Sequence, residues 1–289
     1  MARNSKMVKP EDQRLIRLRV LRTARLSPHW VRVTVGEGEV DAFRPMGYDQ
    51  WFRLFLPLGG EEGMTRLPAK ANTLVGYLKY LRIPAGMRPV MRNYTVRAFR
   101  PATTRAGAEL DIDFVIHGSE RDDTAGPASG WAASAAPGED IVIIDEGIMF
   151  TPERGVDRVV LVGDETALPA ISGIAASLPE TATGLAIVEV PDAADALEFD
   201  RPAGLAVQWV VRGHDAAPGT GALAALREAE LPSGGPHAFI AGEQALATGG
   251  RRLLVNDRGM DKDAVSFCGY WRMGAASAAA RAARTESPA

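Results

Sequence analysis

The sequence predicts a small antiparallel β-barrel followed by a parallel-sheet α/β domain, and three observations carry that reading. Short strand-like runs separated by turns fill the first half. From Arg158 onward, apolar strand-like runs alternate with helical ones. Between the two, the pattern changes at Pro152-Glu153-Arg154-Gly155, a run with the composition of a linker. The boundary falls near Thr151, giving a six-stranded barrel over 1–151 and an α/β domain with a C-terminal tail over 152–289.

In the first half, strands are expected over 15–21, 30–35, 51–56, 94–99, 110–116 and 140–144, with Pro45, Gly47, Pro57, Gly59, Gly60, Pro84 and Gly86 punctuating them. This spacing suits a barrel. In the second half, strands over 158–162, 185–190, 206–211 and 237–241 alternate with helices over 168–177, 221–229 and 246–256. That alternation is the mark of a parallel sheet with crossover helices. The Ala-rich tail, 275–289, carries no assigned chemistry.

Composition narrows the function. A chain of 289 residues, 46% hydrophobic and 24% charged, is a globular protein in which each half can bury a core. Net charge is −3 and the isoelectric point about 5.9, a balance that recommends neither nucleic acid nor an anionic membrane as partner. No apolar stretch is long enough to span a bilayer, and residues 1–13 are too polar for a secretory signal, so a cytoplasmic monomer is expected. The single cysteine, Cys268, excludes an intrachain disulfide and cannot by itself hold an iron–sulfur cluster; its apolar neighbours suggest burial. His29, His117, His214 and His237 show no metal-ligand spacing, so no protein-held metal is expected.

The most informative stretch is Arg92-Asn93-Tyr94-Thr95-Val96-Arg97. In an extended chain, Arg92, Tyr94 and Val96 share one face while Thr95 and Arg97 share the other. A flavin ring needs a flat apolar neighbour, short polar contacts at its N5–O4 edge and a cation for the diphosphate tail; Tyr94, Thr95 and the two arginines offer all three. An ordinary barrel strand with exposed arginines has the same alternation. Downstream, the strand ending Ile116-His117-Gly118 precedes Gly126-Pro127-Ala128-Ser129-Gly130-Trp131-Ala132. Gly126 admits close backbone approach, and Ser129 with the free N–H groups of the first helical turn suits a diphosphate. A plain Gly-Pro turn leading into an N-capped helix accounts equally for that run.

The R-x-Y-T-x-R strand followed by G-P-A-S-x-W-A resembles the siderophore-interacting proteins, FAD-containing members of the ferredoxin reductase superfamily. Gly163-Asp164-Glu165-Thr166-Ala167-Leu168-Pro169, Ala241-Gly242-Glu243 and Gly269-Tyr270-Trp271-Arg272-Met273-Gly274 follow in the family's order. The resemblance implies a ferric-siderophore reductase that passes electrons from NAD(P)H, or from ferredoxin in some members, through FAD to chelated iron. It implies flavin contacts from Arg92, Tyr94, Thr95, Arg97, Asp113, His117, Gly126, Ala128 and Ser129. Asp164, Glu165, Thr166, Gly242, Glu243, Tyr270 and Trp271 are implied at the nicotinamide side of the cofactor site.

Two strand-end charges bear on the donor: Glu189 would suit a ribose diol, and Arg212 a 2'-phosphate through its planar fork, which favours NADPH with NADH possible. Either residue would serve equally as a solvated strand-end charge, and no G-x-G-x-x-G fingerprint is present. For the anionic ferric siderophore, Arg53, standing where the family usually has lysine, Arg272 of the closing motif and Arg252 on the last helix are the candidate cations. A siderophore-binding flavoprotein without nucleotide, or a general diaphorase, remains the alternative.

Overall fold

Two residues close the barrel. In the computed structural model, which describes residues 7–71, 73–116, 126–152 and 157–274, one antiparallel sheet contains β1 (Leu15–Ser27), β2 (Trp30–Gly36), β3 (Trp51–Leu56), β4 (Val90–Thr95), β5 (Ala98–Arg100), β6 (Glu109–Val115) and β7 (Asp140–Gly147). Their order is β4-β3-β7-β1-β2-β6-β5. The two edge strands, β4 and β5, are joined only by Val96 and Arg97. In a flat sheet the edges would lie about 29 Å apart, whereas a two-residue link reaches at most about 11 Å, so the sheet must roll up. The Val96 N–H donates to Gln50 O at 2.8 Å and the Arg97 N–H to Asp111 O at 3.0 Å, bonding the link to both sides of the seam.

The antiparallel sheet is the one the sequence predicts, with one correction. The strand expected over 94–99 turns the corner at Val96-Arg97, so seven strands stand where six were expected. Arg97 therefore lies outside β4, and strand alternation does not relate it to Thr95. Elsewhere the period-two pattern holds: Ile16, Leu18 and Val20 of β1, Phe52 and Leu54 of β3, and Leu110, Ile112 and Phe114 of β6 point into a single core.

Between β3 and β4 lie two short helices that Gly and Pro punctuation concealed, α1 (Glu61–Thr65) and α2 (Leu74–Leu81). They pack through Met64 and Tyr80 against Phe55, Val142 and Ile144. A third, α3 (Pro127–Ser134), adds Ala128, Trp131 and Ala132 to the barrel core.

The second domain has β8 (Arg158–Gly163), α4 (Leu168–Ser177), β9 (Thr183–Val190), β10 (Gly204–Val211), α5 (Thr220–Glu228), β11 (His237–Glu243), α6 (Gln244–Arg252) and β12 (Val265–Trp271). Its parallel sheet runs β10-β9-β8-β11-β12. One face packs on α4, the other on α5 and α6. The fifth strand, β12, was visible in the sequence only as an apolar run and a closing motif. Cys268, on that strand, is half-buried rather than enclosed.

The domains are packed against each other. Trp30 of β2 shares a core with Phe150, Leu168 and Ile171. In α4, a Cβ on Gly173 would meet Tyr48 O at 2.2 Å, so glycine is what lets the helix approach the barrel. One turn later, the Tyr48 N–H donates to Ser177 Oγ at 2.7 Å. At the crossing between domains, buried Asp49 accepts the N–H groups of Met149 and Phe150 at 3.0 and 2.9 Å.

Candidate functional site

The flavin-wall candidates sit at the barrel seam. The ring of Tyr94 packs on Phe114 with centroids 4.4 Å apart, and Phe114 in turn on Trp131 at 5.6 Å. Trp131 is fixed by its Nε1–H, which donates to Glu139 Oε2 at 2.9 Å. This aromatic stack holds the Tyr94 ring in place. Burial raises the phenol pKa, with Arg92 opposing, so Tyr94 is neutral and presents an uncharged aromatic face. Sequence reasoning missed Phe114, although its position two residues from Ile112 on a buried face was a usable signal.

Ser129 is buried in the first turn of α3, next to Ala128 and close in sequence to Gly126, where an added Cβ would meet nothing within 4 Å. Open space before a helix N-terminus, with Arg97 at the seam and Arg92 on β4, is chemistry that fits a diphosphate. His117 lies outside the described residues.

Asp113 is held differently from the sequence expectation. Its carboxylate takes a two-pronged contact from Arg32, Nε at 2.6 Å and Nη2 at 2.8 Å, and Arg97 Nε approaches at 3.5 Å. Asp113 thus orients two cations, and Arg97 is the one at the seam. Burial lowers the Arg97 pKa and Asp113 raises it in part; a guanidinium stays charged throughout.

In the second domain one carboxylate gathers three motifs. Asp164, fully buried at the end of β8, accepts the Thr166 N–H at 2.9 Å and its hydroxyl at 2.5 Å. Its other oxygen accepts the Glu243 N–H at 2.6 Å and Trp271 Nε1–H at 3.2 Å. The Glu243 carboxylate caps α6 at Ala245 N and accepts the Met273 N–H at 3.2 Å. Three segments distant in sequence are thereby fixed around one point at the carboxyl ends of β8, β11 and β12, where ligands of parallel sheets bind. Burial first, then Glu165, pushes the Asp164 pKa up to about 6.

Glu165, Glu189 and Arg212 form a cluster of their own. Arg212 Nε donates to Glu189 Oε1 at 2.7 Å, and its Nη2 bonds Glu165 Oε2. Glu189, fully buried, also accepts the N–H groups of Gly219 and Ala222 at 2.8 and 2.9 Å, capping α5. Burial opposes the charge on Arg212, but its two partners outweigh it and raise the pKa. The fork read from sequence as a phosphate ligand is occupied by carboxylates, and Glu189 is a buried cap.

On β12, the Tyr270 phenol pKa is raised by its enclosed setting, then by Cys268, Asp49 and Asp164, with Thr95 of β4 opposing. The residue nevertheless keeps 39% of its surface exposed. Cys268 beside it is pushed up to about 11 by burial and Asp49 and stays a thiol.

The candidate cations divide. Arg272 and Arg252 are exposed. Arg53 Nε stands 2.7 Å from Glu146 Oε1, without the alignment of a hydrogen bond, so its charge is already partnered inside the protein. No group of three or more His, Cys, Asp or Glu among the described residues could hold a metal ion, and no helix among them is long and apolar enough to cross a membrane.

Residues 19–148 match the family described as siderophore-interacting FAD-binding domain, and 156–274 match siderophore-interacting protein. The chain belongs to the siderophore-interacting protein family. Its barrel is accordingly a siderophore-interacting FAD-binding domain. A crystal structure of a siderophore utilization protein from T. fusca is 32% identical and superposes with a TM-score of 0.74, covering 94% of this chain and 97% of that one. The ferric vibriobactin reductase ViuB of Vibrio cholerae is 29% identical over 251 residues, 86% of each chain. An NADPH-dependent ferric-chelate reductase of Escherichia coli is 26% identical over 264 residues, 90% of this chain and 94% of the relative.

Proposed function

We propose that this siderophore-interacting protein is an FAD-dependent reductase of ferric siderophores, working in the cytoplasm to release iron as Fe(II). The observation that carries the reading is the Tyr94–Phe114–Trp131 aromatic stack at the barrel seam, with Thr166, Glu243 and Trp271 gathered on Asp164 in the second domain. The names of the V. cholerae and E. coli relatives support it.

Tyr94 would give the cofactor its flat neighbour, Thr95 a hydroxyl at the reactive edge, and Arg92, Arg97, Gly126, Ala128 and Ser129 the diphosphate seat. When bound, FAD supplies hydride acceptance and single-electron transfer. The protein's own work is positional. Asp164 fixes Thr166, Glu243 and Trp271 around the donor side; Gly242 leaves room for that carboxylate; Tyr270 covers the cleft. Neither phenol ionises near neutral pH, and Cys268 stays protonated, so these three side chains add no anion against an anionic substrate. Arg272, and Arg252 beyond it, would attract the siderophore, whose own oxygens hold the iron and release it more readily as Fe(II). Arg53, partnered by Glu146, contributes less.

The name of the E. coli relative favours NADPH as donor. One observation favours a ferredoxin-fed alternative: Glu189 and Arg212, the side chains suited to a nucleotide's ribose, are engaged with each other. Anaerobic spectrophotometry separates the donors. NADPH, NADH and reduced ferredoxin are each added to the yellow protein; bleaching by a nucleotide supports the first reading, bleaching by ferredoxin alone the second, and absence of flavin removes both.

A further inference from the structure

Helix α2 is built inside out. Its buried side is Gly76 and Tyr80, while Leu74, Val75, Leu78 and Leu81 are 75%, 64%, 50% and 39% exposed. At 100° per residue these four side chains fall on one arc opposite Gly76 and Tyr80. The orientation is fixed. A Cβ on Gly76 would lie 1.8 Å from Lys70 O, so no other residue can sit at that contact. Tyr80 donates its hydroxyl to Pro89 O at 2.8 Å and packs edge-on against Phe55. Turning the helix to hide its leucines would break all of this.

The charge around α2 is equally one-sided. Although the chain as a whole carries −3, residues 63–108 contain nine Lys and Arg and no Asp or Glu; Arg66, Arg97 and Arg100 of these pair with acids outside that window. Lys70, Lys79 and Arg82 are exposed and have no acidic partner among the described residues; on the helical projection Lys79 borders the aliphatic arc and Arg82, at the C-cap, falls between Leu78 and Val75.

We propose that α2 docks this protein onto the surface of an anionic lipid bilayer, its aliphatic face entering the headgroup boundary while the flanking cations pair with lipid phosphates. Aliphatic side chains edged by Lys and Arg are the pattern of interfacial helices, and long cationic stems can reach up from the apolar level to the headgroups. An acidic protein partner fits less well. The face is about 12 Å long, and Leu and Val are poor anchors at protein interfaces, where Trp, Tyr and Arg dominate. A bilayer surface needs no shaped pocket and accepts a small aliphatic patch. The inference does not depend on the reductase reading.

The test is flotation of the full-length flavoprotein with phosphatidylcholine vesicles, with and without phosphatidylglycerol. The wild type should float with the anionic vesicles at low salt and at least about tenfold less with neutral ones. Leu74→Gln with Leu78→Gln, and separately Lys79→Ala with Arg82→Ala, should each lower partitioning about tenfold or more. Flavin content and melting temperature, unchanged in these surface variants, verify folding. Three results would each overturn the proposal: no flotation with either vesicle, equal flotation of wild type and the glutamine variant, or concentration-dependent dimerisation in sedimentation velocity that the glutamine variant abolishes without any lipid binding.

Discussion

The carboxylate of Asp164 occupies the space that a side chain on Gly242 would need: a Cβ built there lies 2.5 Å from Asp164 Cγ. Gly242 also has φ +124, a conformation other residues avoid. The glycine and the aspartate are therefore one device, which lets the end of β11 come close enough for the Glu243 N–H to reach Asp164.

Gly242→Ala should be costly on two counts, strain and collision, by about 2 kcal/mol or more. Urea denaturation at neutral pH checks this. Gly126→Ala, at φ −67 with open space around it, should leave stability within about 1 kcal/mol and lower flavin retention instead.

Acid titration should separate two groups of carboxylates. Burial lifts Asp49, Asp145 and Asp164 from 3.8 to about 6 each. The folded state then holds more protons than the unfolded one between about pH 4 and 6, so their contribution falls as pH rises through that window. Glu109 goes the other way: its bond to Arg22, aided by Arg100, holds it down at about 2, and its contribution is lost as pH falls below its ordinary value of 4.5. Asp164→Asn cannot ionise, so the stability gap between this variant and the wild type should narrow from about pH 4 to about pH 7. A gap that stays constant would contradict the raised pKa.

Removing Arg212 leaves Glu165 and Glu189 buried without their cation. Arg212→Ala should lose about 3–5 kcal/mol, measured by denaturant unfolding, and Arg212→Lys, which keeps the charge but not the fork, should lose less. A preference for NADPH over NADH that survives in the lysine variant would confirm that Arg212 acts on the fold; loss of preference without loss of stability would restore it to the nucleotide.

Flavin retention reads the barrel site directly. Tyr94→Ala should lower bound flavin about tenfold or more, because stacking on a fixed ring is lost, while Tyr94→Phe should hold near wild-type amounts. Absorbance of the gel-filtered proteins gives both numbers.

Charge at the cleft mouth should act on substrate and not on chemistry. Arg272→Ala should slow ferric siderophore reduction about tenfold and leave reduction of a neutral quinone unchanged. Arg53→Ala should chiefly cost stability, since it leaves buried Glu146 with only Lys9 and Gln13 as partners. Equal losses with both acceptors in Arg272→Ala would remove its substrate role.

The legible part of this molecule was whatever repeats along the chain. Alternating strands such as 15–21 and 110–116, the βα alternation after Arg158, and the Arg92–Arg97 and Gly126–Ala132 runs could each be read in a single window. What stayed hidden was set across distance. Barrel closure broke the strand at Val96-Arg97, because the link must bond Gln50 on one side and Asp111 on the other. Asp113 looked available for cofactor until Arg32, 81 residues away, was seen to hold it. Arg212 looked like a phosphate ligand until Glu165, from the turn after β8, and Glu189, from β9, were seen to hold it. Helix α2 hid behind its glycine, because the pattern reads apolar while the fold buries the opposite side.

The most direct test of the account is to photoreduce the purified flavoprotein without any nucleotide, mix it anaerobically with a ferric siderophore, and follow capture of Fe(II) by a ferrous chelator. Return of the oxidised flavin spectrum is expected, with Fe(II) captured in proportion to bound flavin, and slower capture by Arg272→Ala. A reduced protein that holds its electrons in the presence of ferric siderophore, yet gives them readily to a neutral quinone, would contradict it.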